Sequence, residues 1–232
     1  MIDFSPYIDE NYALFASKIV RTRYPLLGVR MPILHRISKE LDKQEREKML
    51  TLISQELSCE EWIILGDILA LELKEMKARD WWEFARAYLE RIDSWNYVDN
   101  LFSQLRWIKG KKYASIYKKL HSLLLRELYC DEEFVLRFVI MMLTRYYPQS
   151  LTELLDRICD LGEDTPYYLK MGASWAISEI FLKERQRILS LLQSQRLSPS
   201  IQSLSMRKIC ESKQVGEESK ALIKSLRRSY AN

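Results

Sequence analysis

The chain has 232 residues, with 36 lysines and arginines against 32 aspartates and glutamates, a formal net charge of +4 and a pI near 8.7. Its 47% hydrophobic content suffices for a continuous core and excludes global disorder, while six glycines and six prolines are too few for the frequent turns of an all-β protein. Residues 1–20 contain Asp3, Asp9, Glu10 and Lys18 in place of a secretory pattern, and apolar runs such as Phe138 to Leu143 are far shorter than the roughly twenty residues a membrane span needs, so a soluble cytoplasmic protein is expected.

Along the chain, helix starts are predicted where a capping side chain or proline precedes an apolar-periodic run: Pro32 after Met31, Asp80 before Trp81, Ser94 before Trp95, Asp131 before Glu132, Thr165 before Pro166 and Ser198 before Pro199. Gly28, Gly110 and Gly162 mark stops at which the chain can turn with positive φ. The pattern predicts roughly a dozen helices of about ten to eighteen residues joined by short loops. Glu60 to Met76 presents a wide apolar surface (Ile63, Ile64, Leu65, Ile68, Leu69, Leu71, Leu73), and Arg187 to Leu197 repeats Ile188, Leu189, Leu191 and Leu192. Helices of this kind need neighbours on more than one side. The fold expected is all-α, a curved α-solenoid of degenerate HEAT-like helix pairs forming a single domain over residues 1–232, with a compact helical bundle as the alternative.

Cys59, Cys130, Cys159 and Cys210 are widely spaced without a C-x-x-C pair, which suits free thiols, and the two histidines, His35 and His121, stand in no ligand pattern. Neither a metal nor a cofactor is expected.

Charge is segregated. From Asn100 to Arg126 there are seven basic residues (Arg106, Lys109, Lys111, Lys112, Lys118, Lys119, Arg126) and no acid, and six more occur without an acid from Lys18 to Lys39. Arg196 to Asn232 holds eight basic residues against three acidic, whereas Glu127 to Asp164 holds nine acidic against three basic. Separated basic blocks of this kind can neutralise phosphates along one face, although charge runs are also commonly just solvated surface.

The most informative stretch is Trp95-Asn96-Tyr97-Val98-Asp99, because on a helix it sets an indole and a carboxylate on one face, four residues apart. A carboxylate beside an aromatic wall can stabilise a cationic transition state through its charge and the π-face of the ring. Core packing plus a solvated acid is the ordinary alternative.

Four segments in order resemble the DNA alkylation repair family of AlkD-like glycosylases. Tyr24-Pro25-Leu26-Leu27-Gly28-Val29-Arg30-Met31-Pro32 looks like its L-G-[VI]-R-x-P connection and Ser94 to Asp99 like its tryptophan and aspartate segment. Tyr167 to Ala176 resembles the helix in which a lysine precedes a site tryptophan, and Met206 to Ser212 the terminal K-I-R-E-S helix. The resemblance implies HEAT-like repeats, Asp99 as catalytic carboxylate, Trp95 and Trp175 as aromatic walls, and Arg137, with Arg145 as the alternative, as a phosphate-contacting or site-orienting cation. DNA contacts are then expected from Tyr24, Arg30, Lys109, Lys111, Lys112, Lys170, Arg207 and Lys208. The implied partner is double-stranded DNA containing alkylated bases, met by a monomer that associates with the nucleoid when bound.

The implied reaction is hydrolytic excision of purines alkylated at N3 or N7, whose positive charge makes them leave as neutral bases, so that one carboxylate, stabilising the developing oxocarbenium centre and positioning the attacking water, suffices without a second acid. Two other readings are a noncatalytic solenoid binding distorted or branched DNA and a protein-interaction scaffold using Trp62, Trp81 and Trp82 as interface anchors.

Overall fold

The computed structural model describes residues 2–229, and among these it contains thirteen α-helices, short 3-10 segments and no strand. The all-α expectation holds. The chain divides into two compact units, Met1–Leu123 and Leu124–Asn232.

In the first unit, α1 (Glu10–Ser17) is followed by α2 (Met31–Glu40), α3 (Lys43–Thr51), α4 (Cys59–Glu72), α5 (Ala78–Arg91) and α6 (Trp95–Gln104). α4 packs against α2 on one side and α6 on the other, with α3 and α5 also against it. Its sequence explains the central position: twelve of its fourteen residues are buried, and a helix apolar all round needs neighbours on every side. Trp62, Ile64, Leu65, Ile68 and Leu69 are fully buried, each aliphatic side chain contributing roughly 1.5–3 kcal/mol relative to exposure. α3 and α4 each open with a capping box, Asp42 with Glu45 and Ser58 with Glu61, which satisfies amides the first turn would leave unpaired. Arg46 Nε donates to Glu72 Oε1 at 2.7 Å, so the acid at the end of α4 is buried with its partner.

α7 (Ala114–Glu127) contains the division between the units. The second unit continues with α8 (Glu133–Tyr146), α9 (Leu151–Cys159), α10 (Tyr167–Phe181), α11 (Arg185–Gln193), α12 (Pro199–Glu211) and α13 (Glu217–Ser229). Here α10 takes the central place between α8 and α12, while α9 lies on α8, α11 on α10 and α13 on α12. Within each unit, alternate helices therefore stack side by side, the arrangement of successive helix pairs. Gly172, Ala173, Ser174 and Ala176 are all buried in α10, and such small side chains let neighbouring helices approach closely. Ile188, Leu189, Leu191 and Leu192 of α11 are buried as their spacing predicts.

Several expected boundaries move. Ser198 and Ser94 are N-caps by position but make no side-chain cap bond, and α5 begins at Ala78, which puts Asp80 inside its first turn. Glu132 and Pro166 occupy the cap positions of α8 and α10 in place of Asp131 and Thr165. Only Gly28 among the glycines has a positive φ, +94°; Gly110 sits at −63°. Trp81 and Trp62 are fully buried and Trp82 is 5% exposed, so none of the three is an interface anchor. No helix among the described residues is long and apolar enough to cross a membrane.

Candidate active site

α6 is fastened to the core by one face. Tyr97, Val98, Asn100 and Leu101 are buried, while Trp95 and Asp99 are half-buried on the remaining face. The i, i+4 spacing sets their Cβ atoms about 5–6 Å apart. Asn100 fixes the helix by donating its amide to the Ile63 carbonyl at 3.1 Å and to Asp67 Oδ1 at 3.0 Å. Just before the helix, Asp93 accepts the Thr22 hydroxyl at 2.6 Å and the Arg23 amide at 2.7 Å, tying residues 22–23 to the start of α6.

Trp95 and Asp99 line a cavity of about 380 Å³, together with Tyr12, Phe15 and Ile19 from α1 and around it, His35 of α2, and Glu60 at the start of α4. The wall between α1 and α2 is the L-G-V-R connection, and a carboxylate shapes it. Glu60, 3% exposed, accepts the amides of Leu27 at 3.0 Å, Gly28 at 2.8 Å and Val29 at 3.2 Å. Three converging backbone N–H groups offset much of the cost of burying this charge. Gly28 is required on two grounds: its positive φ, and the 2.4 Å that would separate an added Cβ from the Asp9 carbonyl.

A second buried carboxylate, Asp67, lies two turns further along α4. It accepts from His35 Nδ1 at 2.7 Å, from the Ser38 hydroxyl at 2.8 Å and from Asn100, so one side chain joins α2, α4 and α6. Burial pushes the Cys59 thiol up to about 11, keeping it protonated beside the cavity. Burial likewise raises the Tyr97 phenol, whose oxygen lies 3.0 Å from the Thr22 hydroxyl. A half-buried carboxylate and an indole one helical turn apart, lining the same recess, form an arrangement that can stabilise a cation.

The other expected site residues lie in the second unit. Arg137 of α8 is 6% exposed; its Nη1 donates to the Tyr168 carbonyl at 2.8 Å, and its stem passes Gly172, where an added Cβ would meet Arg137 Cγ at 3.1 Å. Glu133, one turn earlier, accepts the Tyr168 amide at 2.9 Å, so both side chains grip the first turn of α10 rather than each other. Trp175 is half-buried, with the Arg145 guanidinium carbon 5.8 Å from its ring centroid and Arg145 Nη2 2.8 Å from Glu179. Lys170 Nζ donates to the Glu163 carbonyl at 2.5 Å, and Arg207 pairs loosely with Glu211 at 3.6 Å. Lys208 is half-buried on α12.

Among the expected DNA contacts in the first unit, Lys109, Lys111 and Lys112 are exposed on the 3-10 segments after α6, where Lys112 Nζ lies 4.8 Å from the Tyr113 ring centroid. Arg30 is exposed, bonded to Asp9 at 2.7 Å and over the Tyr12 ring. Tyr24 is 8% exposed: its ring packs on Trp62 and Tyr97 and its hydroxyl donates to the Arg91 carbonyl.

Glu60, Asp67 and His35 carry the geometry of the cavity without having been singled out by spacing. The signal for the two acids is their position in the most apolar helix of the chain, where an ionised group requires buried donors.

No curated protein matches the chain. A family model described as DNA alkylation repair enzyme matches residues 2–209, spanning the Glu60-held connection, the Trp95–Asp99 helix, α8 to α11 and most of α12. The chain therefore belongs to the DNA alkylation repair enzyme family.

Proposed function

We propose that the protein is a monofunctional DNA N-glycosylase of the AlkD-like kind, acting as a monomer on duplex DNA to excise purines carrying a positive charge from alkylation at N3 or N7. The observation that carries this reading is that Trp95 and Asp99 share one cavity, the acid half-buried and the ring beside it. A carboxylate so placed stabilises the positive charge that builds on C1′ and O4′ of the deoxyribose as the purine leaves, and the indole face adds about 0.5–2 kcal/mol of attraction for that cation. The lesion contributes the rest of the selectivity, because a cationic purine departs without protonation whereas an ordinary one does not.

Arg30, Lys109, Lys111 and Lys112 are the phosphate-contacting set we assign in the first unit, consistent with their exposure. Trp175, with Arg137 or Arg145, is assigned by family resemblance as the second aromatic wall and its cation, and Lys170, Arg207 and Lys208 as further backbone contacts.

The decisive measurement is release of 7-methylguanine and 3-methyladenine from methylated duplex DNA. Asp99→Asn preserves size and removes charge, so excision is expected to fall by about 10²–10³, the scale on which a transition-state charge contact is lost, while duplex affinity changes by less than about threefold. Equal excision by wild type and variant removes Asp99 from the mechanism. Retained, salt-dependent DNA binding with no base release by the wild type would identify a noncatalytic binder instead.

A further inference from the structure

The cavity is also lined by an imidazole, that of His35. His35 is exposed to about a quarter of its side chain, 28%, while its partner Asp67 is 5% exposed. The imidazole Nδ1 is held by Asp67 at 2.7 Å, with the Gln104 amide nitrogen at 3.4 Å. Because Asp67 is an acceptor, the neutral ring carries its proton on Nδ1 and presents a lone pair at Nε2, on the far side of the ring. No described residue hydrogen-bonds Nε2, and His35 lines the cavity shared by Trp95 and Asp99. Asp67 also holds Asn100, the residue after Asp99, so a single buried carboxylate sets the register of His35 on α2 and of Asp99 on α6. A histidine oriented by a buried acid and open on its other nitrogen is the constellation that takes up a proton.

Resting on the glycosylase reading, we propose that His35 is a catalytic base of this cavity and Asp67 its positioning residue. The C1′–N9 bond breaks with its electron pair going to the cationic purine, which leaves neutral. A water lone pair forms the C1′–O bond, and the water's O–H proton passes to His35 Nε2. The resulting imidazolium is stabilised through Nδ1–H by Asp67 and returns the proton to solvent. Asp99 remains ionised throughout as the counter-charge to the sugar, which separates the two roles that a lone carboxylate would have to combine. Besides Asp67, which the ring touches, the titratable groups lining the same cavity are Glu60 and Cys59 of α4, Asp99 of α6 and Tyr12 of α1. Among the lining residues none is a lysine or arginine, and His35 is the one imidazole there.

The test is single-turnover release of 7-methylguanine between pH 5.5 and 8.5 by wild type, His35→Asn and Asp99→Asn. Asparagine places an N–H near the position of Nδ1, so the Asp67 bond is kept and only Nε2 is lost. His35→Asn is expected to be slower at pH 7.5 by about 10- to 100-fold, at or below the lower end of general-base effects because departure of a neutral purine sets much of the barrier. The wild-type rate is expected to fall on acidification, and the variant to lose that limb while binding undamaged duplex within twofold of wild type. A His35→Asn rate and profile equal to wild type overturns the proposal, as does an acid limb that survives in the variant. Should the variant not fold, a wild-type rate independent of pH across the range overturns it equally. Loss of excision in Asp99→Asn alone would refute the role of His35 and leave the glycosylase reading standing, whereas a wild type that releases no base refutes that reading itself.

Discussion

Replacing Glu60 by glutamine changes one atom and removes the centre of the clasp on the connection between α1 and α2. The carboxylate accepts three buried or half-buried amides, from Leu27, Gly28 and Val29, with Oε1 between 2.8 and 3.2 Å from all three. Glutamine has a single acceptor oxygen, and its NH2 turned toward these amides sets donor against donor. With the oxygen kept at the Oε1 position, the Leu27 amide, 3.0 Å from Oε2, faces a donor instead, at about 1–3 kcal/mol, and the bonds to the oxygen lose their charge assistance, for a total near 3–4 kcal/mol. For a chain of this size that is a fall in melting temperature of roughly 6–15 °C. Differential scanning calorimetry of Glu60→Gln beside wild type measures it directly. Because the same loop forms a wall of the Trp95–Asp99 cavity, base release should decline with it even below the transition. A melting temperature within about 1 °C of wild type would refute the claim that these amides depend on a buried charge.

Two further outcomes follow from the electrostatics. Lys111→Glu combined with Lys112→Glu reverses two exposed charges after α6, and DNA affinity should drop with a shallower salt dependence while excision at saturating DNA is retained; unchanged affinity in a filter-binding or anisotropy titration would place this segment off the DNA. Cys59 titrates near 11 in the fold against 9.0 for an ordinary thiol, so the unfolded chain loses this proton first as pH rises. The Cys59 contribution should therefore be whole below about pH 9 and decline toward pH 11 by up to about 2–3 kcal/mol, so Cys59→Ser lessens the slope between urea titrations at pH 8 and 10.5, the buried Tyr97 and Tyr88 phenols supplying the rest.

The parts of this molecule legible in its sequence are those governed by local periodicity. Trp95 and Asp99 fall on one face because their spacing is a helical turn, and α4 reads as a central helix because it has no polar stripe. Gly28 is legible as a turn, and its positive φ is confirmed, whereas Gly110 has the same composition signal and an ordinary backbone. Asp80, Asp131 and Thr165 are plausible caps displaced by one to three residues, since neighbouring residues continue or delay the helix at no great cost in energy. The capping boxes at Asp42 and Ser58 carry a readable x-x-Glu signature. What spacing cannot supply is pairing at a distance: Glu60 meets amides 31 to 33 residues earlier, and Asp67 meets His35 and Asn100 from two other helices. The depth of Tyr24 is of the same kind, because a tyrosine in a connection between helices is buried only once Trp62 and Tyr97 arrive from elsewhere to enclose it.

Glu60 and Asp67 belong to a single helix, so the loop before α2, the body of α2 and the carboxylate-bearing face of α6 are all moored to α4. α1 is attached differently: Ala16 is its buried residue, and Leu14, Phe15 and nearby Ile19 are about half or more exposed. Resistance to opening is thus unequal around the recess. The aspartate, the indole and the imidazole, all carried by helices fastened to α4, therefore keep their mutual spacing as one stiff piece, whatever α1 does.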